Sequence, residues 1–290
     1  MTDGKRKASL HNTEDVLRKT GRAGSSSFRF LTAVVLLCLI TGSALTAPLL
    51  TSYAPTEPQP VDSLLAPNWS HLAGTDLFGR DIWSRLLWGG RRSLAAAAVA
   101  VVLALLPGAV LGITSAQIGG RVDSFLMRII DVLLAFPSLL LALTLIAWLG
   151  PGLFSAALAV GIAGIPRFAR VMHADALRIK SRAYIEAAHA VGCSTSRIVW
   201  RHLLPNVAGS LLVLTALELG YALLNISGLS FLGLGAQPPS AEWGLMLAEG
   251  RGLLRIAPWV ATFPGLAITL TVLAMNLLTD AIQDRLALHQ

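Results

Sequence analysis

Little in this sequence is charged. Asp, Glu, Lys and Arg make up 13% of the 290 residues, against about 25% in an ordinary soluble domain. That shortage excludes a chain that covers itself with a solvated charged surface. Cysteine is scarce as well: Cys38 sits in an apolar run and Cys193 in a basic stretch, which rules out a disulfide framework or a cysteine metal cluster. His173, His189 and His202 are expected to be cytoplasmic or interfacial and do not assemble a metal site. The formal charge of +7 does not fall in a basic stripe interleaved with aromatics, so no nucleic-acid partner is expected. No Gly-x-x-x-x-Gly-Lys-Ser/Thr loop occurs to cradle nucleotide phosphates. An internal repeat of fixed period is also lacking.

What is abundant is apolar: 54% of the residues are hydrophobic. They fall into runs long enough to cross about 30 Å of hydrocarbon as helices. Six spans are read, at 30–51, 93–116, 127–149, 153–174, 207–227 and 259–281, giving an all-α membrane protein. The first run is too long for the core of a signal peptide and follows a polar tail, so it is read as a retained span, although Ala44-Leu-Thr-Ala-Pro48 resembles a cleavage site. Lys and Arg set the orientation. Seventeen lie in the tail 1–29, in the segment between spans four and five, or at Arg121, Arg128 and Arg285. Six lie opposite, at Arg80, Arg85, Arg91, Arg92, Arg251 and Arg255. Both termini are therefore expected in the cytoplasm. A loop with an amphipathic segment, 52–92, is expected outside, followed by a transmembrane core over 93–282 and a cytoplasmic tail over 283–290.

The longest polar interruption, Tyr184 to Asn206, reads YIEAAHAVGCSTSRIVWRHLLPN. Its first half is Ala-rich and ends at Gly192, a good residue beyond a helix C-terminus. Ser194 or Thr195 can cap a second short helix that Pro205 limits. Ile185, Ala188 and Val191 fall on one side of the first helix. Composition alone fits either a compact cytoplasmic knob or an amphipathic hairpin lying on lipid.

The spacing narrows this. Glu186, Ala187, Ala188, Gly192, Leu204 and Pro205 resemble the EAA loop of ABC importer permeases, and His202 within RHLLPN is similar to the peptide-type form. A second stretch, with Gly74, Thr75, Asp76, Gly79, Arg80 and Asp81, resembles the signature of the C-type permease of the dipeptide/oligopeptide/nickel importer family. RVDSFLMRIIDVLLAFPSLLLAL, LSFLGLGAQPPSAEWGLML and ATFPGLAITLTVLAMNLLTDAIQD resemble the same family, so the likeness runs from about residue 30 to about residue 286. The chain departs from the family pattern at Thr279, at Ile226 and in its LALHQ ending.

The resemblance implies a type I ABC importer permease fold in a bacterial inner membrane. It implies a homologous permease partner, two ATP-binding subunits or domains that carry ATP and Mg, and an extracytoplasmic solute-binding protein. Tyr184, Glu186, Arg197, Arg201 and the residues around them would couple to the ATPase. Peptide-like cargo is expected, with nickel or a metallophore complex as the alternative.

Asp76 and Asp81 are read as helix caps and partners of Arg80 and Arg85 rather than as catalytic acids, with Ile82, Leu86 and Leu87 on the membrane. Glu218 is the one acidic residue well inside a span, at a depth where charge is costly. It is expected either to line the translocation path or to hydrogen-bond Tyr221 or a neighbouring backbone carbonyl. Arg128 and Asp131, one turn apart, are expected to pair. An intramembrane hydrolase would need a second acid, or Ser with His or Lys, at that depth; a secondary transporter would show inverted repeats.

Overall fold

The computed structural model describes residues 28–287, and within them regular structure is helical apart from one isolated bridge between Thr75 and Asp81. The tail expected over 1–29 falls outside the described residues, except for Phe28 and Arg29. In chain order the helices are α1 (Phe28–Leu45) and α2 (Ala47–Leu50), then α3 (Ile82–Ile118), α4 (Gly120–Ala135), α5 (Ser138–Leu149) and α6 (Leu153–Lys180). They continue with α7 (Ala183–Ala190), α8 (Thr195–Ile198), α9 (Leu204–Phe231), α10 (Trp243–Gly250) and α11 (Trp259–Ala287). Five of the segments are long and apolar enough to cross a membrane, and α4 with α5 is apolar enough only when the two are taken together, with a bend of 92° at the break between them.

The centre of the bundle is the crossing of α3 with α6. Both helices turn small residues to the contact: Ala97, Ala100, Ala104, Gly108 and Gly112 on α3 meet Ala157, Gly161, Gly164 and Ala169 on α6. Lipid tails are as apolar as leucine, so helices in a membrane associate through close van der Waals contact, which small residues permit. The approach is tight. A Cβ at Gly108 would lie 2.5 Å from that of Phe168, and one at Gly112 would lie 2.3 Å from the Ala169 carbonyl oxygen.

Three sequence expectations are corrected. The expected span 93–116 is the later part of one continuous 37-residue helix, about 55 Å long, which starts at Ile82 and takes in the segment expected in the outer loop. Its first turns are packed in protein rather than laid on the membrane, with Ile82 and Leu87 buried. The expected span 127–149 is not one helix. Pro137 restricts the residue before it to extended backbone, Phe136 adopts φ −85° and ψ 137°, and α4 ends there.

The third correction concerns Pro205. It does not end the second short helix; α8 runs into α9 through a π turn at Val199–Leu203, in which the Leu204 amide donates to the Val199 carbonyl. The wider turn relieves the clash a proline ring makes with the preceding turn. Pro205 follows that turn directly, so the wider turn, and not a free helix end, is what accommodates it.

Packing of this kind tolerates no added volume. Gly112→Val is expected to cost about 1–3 kcal/mol and to lower the melting temperature in detergent. Gly228→Ala, where an added Cβ meets nothing within 4 Å, should not lower it and should raise it slightly, since alanine favours the helix by about 0.5–1 kcal/mol.

Candidate functional site

At one end of the bundle the chain between α6 and α9 forms a helical hairpin. Gly192, at φ +81°, terminates the first arm, and its amide donates to the His189 carbonyl at 2.9 Å. Only glycine adopts that backbone without strain. Ser194 Oγ caps α8 by accepting from the Arg197 amide at 3.4 Å. Ile185 and Ile198 bury themselves with Leu203 and Val207 against Met172, Ala176 and Ile179 of α6 and Ile113 and Ala116 of α3. Lys180 Nζ donates to the Ala116 and Gln117 carbonyls at 3.0 and 3.3 Å, satisfying the end of α3.

The hairpin presents a mixed outer surface. Glu186, Ala187, Arg197, Arg201 and Pro205 are exposed, Ala188 and Leu204 are partly covered, and Tyr184 lies beside the half-buried His202 with ring centroids 6.0 Å apart. Val191, placed from sequence on the same side as Ile185 and Ala188, is 80% exposed, and Trp200 is 73% exposed.

Glu218 is buried on α9, and its partner is neither Tyr221 nor a carbonyl. Arg167 Nη1 of α6 donates to Glu218 Oε1 at 2.6 Å. Arg167, counted from sequence among the charges between spans four and five, therefore lies within a long apolar helix. Its guanidinium sits 5.4 Å from the Tyr221 ring centroid, as a cation over a π face. Asp131 pairs with Arg170 of α6 at 3.3 Å rather than with Arg128. Asp123 accepts from Ser115 Oγ at 2.6 Å and meets His173 Nε2 at 2.7 Å. These contacts fasten α4 to α6 and to the end of α3.

The opposite end holds the second cluster. Asp76 Oδ1 accepts from the amides of Phe78 and Arg80, closing a turn completed by Gly79 at φ +74°. Asp81 caps α3 by accepting from the Ser84 amide at 2.7 Å, and its other oxygen meets His71 Nδ1 at 2.9 Å. Gly74 and Thr75 lie under Trp259, whose indole N–H donates to the Thr75 carbonyl. Arg80 and Arg85 are almost fully buried between Asp76 and Glu249. The contacts are 2.6 Å from Arg80 Nε to Asp76, 3.5 Å from Arg85 Nε to Asp76, and 3.1 and 2.8 Å from the two guanidinium groups to Glu249. Two cations and two anions thus form a closed ring that ties the 52–81 segment and α3 to α10. Beside it Glu242 caps α10 through the Leu245 amide and accepts from Ser93 Oγ at 2.9 Å.

Residues 108–289 match the family of binding-protein-dependent transport system inner membrane components. The chain belongs to this family.

A dipeptide transport system permease protein, DppC, of Alkalihalophilus pseudofirmus is 41% identical over 257 residues, covering 88% of this chain and 84% of the relative. A glutathione transport system permease protein, GsiD, of Pectobacterium atrosepticum is 46% identical over 220 residues, covering 76% and 73%. Among solved structures, an inward-facing methionine ABC transporter, MetNI, aligns with a TM-score of 0.58 at 19% identity, covering 72% of this chain and 97% of that one. The fold is that of a type I importer permease.

Several residues of the permease's polar clusters escaped the sequence reading, among them Arg167, Glu242 and Glu249. Arg167 is hidden by being counted as a loop charge. Glu242 carries a local signal, an acidic residue immediately before Trp-Gly-Leu-Met-Leu, as a helix cap would. Glu249 carries none, because its partners are more than 160 positions away in sequence.

Removing one member of the buried ring should be far costlier than removing one from an exposed pair. Glu249→Gln is expected to destabilise the folded chain by about 3–5 kcal/mol. Asp131→Asn, which breaks the Arg170–Asp131 pair whose two side chains are 48% and 47% exposed, should cost about 0.2–1 kcal/mol. Thermal unfolding of the two variants in detergent compares them directly.

Proposed function

We propose that this chain is the permease subunit of an ATP-driven importer that carries peptides or peptide-like solutes such as glutathione across a bacterial cytoplasmic membrane. The identity to dipeptide and glutathione permeases supports the cargo class. The observation that carries the mechanism is the hairpin: its exposed arm bears Glu186 and Ala187, while its buried face is part of the same core as α3, α6 and α9. A push on the hairpin must move those helices, because packed interiors transmit strain.

In this reading both termini and the hairpin lie in the cytoplasm, and the 52–81 segment and α10 lie outside. The partners are a homologous permease, two ATP-binding subunits or domains that hold ATP and Mg, and a solute-binding protein docking on the outer face. Lipid surrounds the apolar helices, and no nucleic acid takes part. The chain contributes no catalytic residue. Glu186, Arg197 and Arg201 meet the ATPase, the turn at Gly74–Asp81 organises the outer face, and Glu218 lines the translocation path. ATP and the loaded binding protein shift the balance between inward-open and outward-open states through their different affinities for each.

Glu186→Lys in the purified complex is expected to lower solute-stimulated ATP hydrolysis by about tenfold or more, the scale of one lost interfacial charge contact. The melting temperature should be unchanged, since Glu186 is exposed. Undiminished hydrolysis removes the coupling role. Orientation is tested with a membrane-impermeant maleimide on intact cells. Trp69→Cys, 97% exposed, should label after outer-membrane permeabilisation, and Trp200→Cys only once the inner membrane is opened.

A further inference from the structure

Arg167 and Glu218 leave hydrogen-bonding capacity unused on one shared crevice. Among the described residues the guanidinium meets a single acceptor, Glu218 Oε1, and the second carboxylate oxygen meets no donor. Both side chains line a crevice between α5, α6 and α9, together with Ser138, Tyr221 and Asn225. The free space is about 10 Å³, enough for one water, so the two groups are closed on each other. The pair is reached from one side: the Arg167 side chain is 30% exposed and that of Glu218 is 7% exposed.

A guanidinium is a forked donor for carboxylates, and a carboxylate is an acceptor for ammonium groups. The two ends of a zwitterion therefore match what each partner now offers the other. We propose that the Arg167–Glu218 pair is a self-closed site for a small zwitterionic cargo, each partner standing in for one end of the solute until it arrives. The inference rests on the importer reading above and adds the cargo's charge pattern to it.

Opening the pair with nothing in its place would strand two charges in a low-dielectric setting. A zwitterion replaces both contacts at once, whereas a solute charged at one end replaces only one. A metal cation, bare or complexed with net positive charge, would meet Glu218 but be repelled by Arg167.

The test uses the complete transporter in liposomes, with loaded binding protein and tritiated L-alanyl-L-alanine as the probe. Absence of uptake by the wild-type complex overturns the peptide-importer reading itself, whatever the pair does. With wild-type uptake established, Arg167→Met combined with Glu218→Gln leaves no stranded charge. This double variant is expected to assemble and keep stimulated ATP hydrolysis within about twofold while uptake falls about a hundredfold, the scale of two lost charge-assisted contacts at about tenfold each. A purely structural pair predicts the reverse, since neutralising both partners of a buried pair is often harmless. Retained uptake, or loss of hydrolysis together with uptake, overturns the site. Arg167→Lys, which keeps the charge and removes the fork, should raise the KM for the dipeptide several-fold at unchanged stimulated hydrolysis; an unchanged KM also overturns it.

Discussion

The rest of the fold depends on how closely α3 and α6 approach each other. Glycine and alanine at the crossing let the two backbones come to within contact of one another's carbonyl groups. A membrane offers no hydrophobic gain for bringing helices together, so the area of close contact must supply the attraction. Once that pair is fixed, α9 packs against both helices, and α11 packs against α9. Both polar ends are then positioned by helices that cannot slide independently. The same tightness sets the polar rules: a charge between these helices has little room for water and must find a partner on the chain.

The two ends meet that rule differently. At the hairpin end most charge is exposed, and the covered contacts are hydrophobic, are made to backbone carbonyls, as with Lys180, or join Asp123 to Ser115 and His173. At the other end Arg80, Arg85, Asp76 and Glu249 neutralise one another inside the protein. A buried ionic ring is weak support for stability and strong support for geometry, since each member is costly to strand. It holds a long irregular segment, 52–81, in one arrangement without a sheet or a disulfide to do so. One end is thus built to be touched, and the other to keep its shape.

Much of this was legible in the sequence, and the remainder fails for identifiable reasons. Apolar runs located the long helices, because burial in lipid requires about 20 consecutive apolar residues whatever the partners. The hairpin was legible because Gly192 and Ser194 act on their near neighbours. The break at Phe136–Pro137 was missed although proline announces it, since a hydropathy window averages across a single residue. The π turn was missed for the opposite reason: Pro205 reads as a stop, and only the wider turn before it lets the helix continue. Arg167, Glu249 and their partners lie on separate elements, so no local pattern records them. Glu218 was recognised as costly, but which cation answered it depended on the crossing of α6 and α9.

Lys180 has a consequence beyond satisfying two carbonyl groups. By gripping Ala116 and Gln117 it makes the last turn of α3 part of the hairpin's base. The other end of the same helix carries Arg85, about 47 Å away by helix rise, held there by Glu249 and Asp76. Helix α3 is thus pinned at both ends by cations, one of its own and one supplied by α6, with Pro107 as the single proline between them.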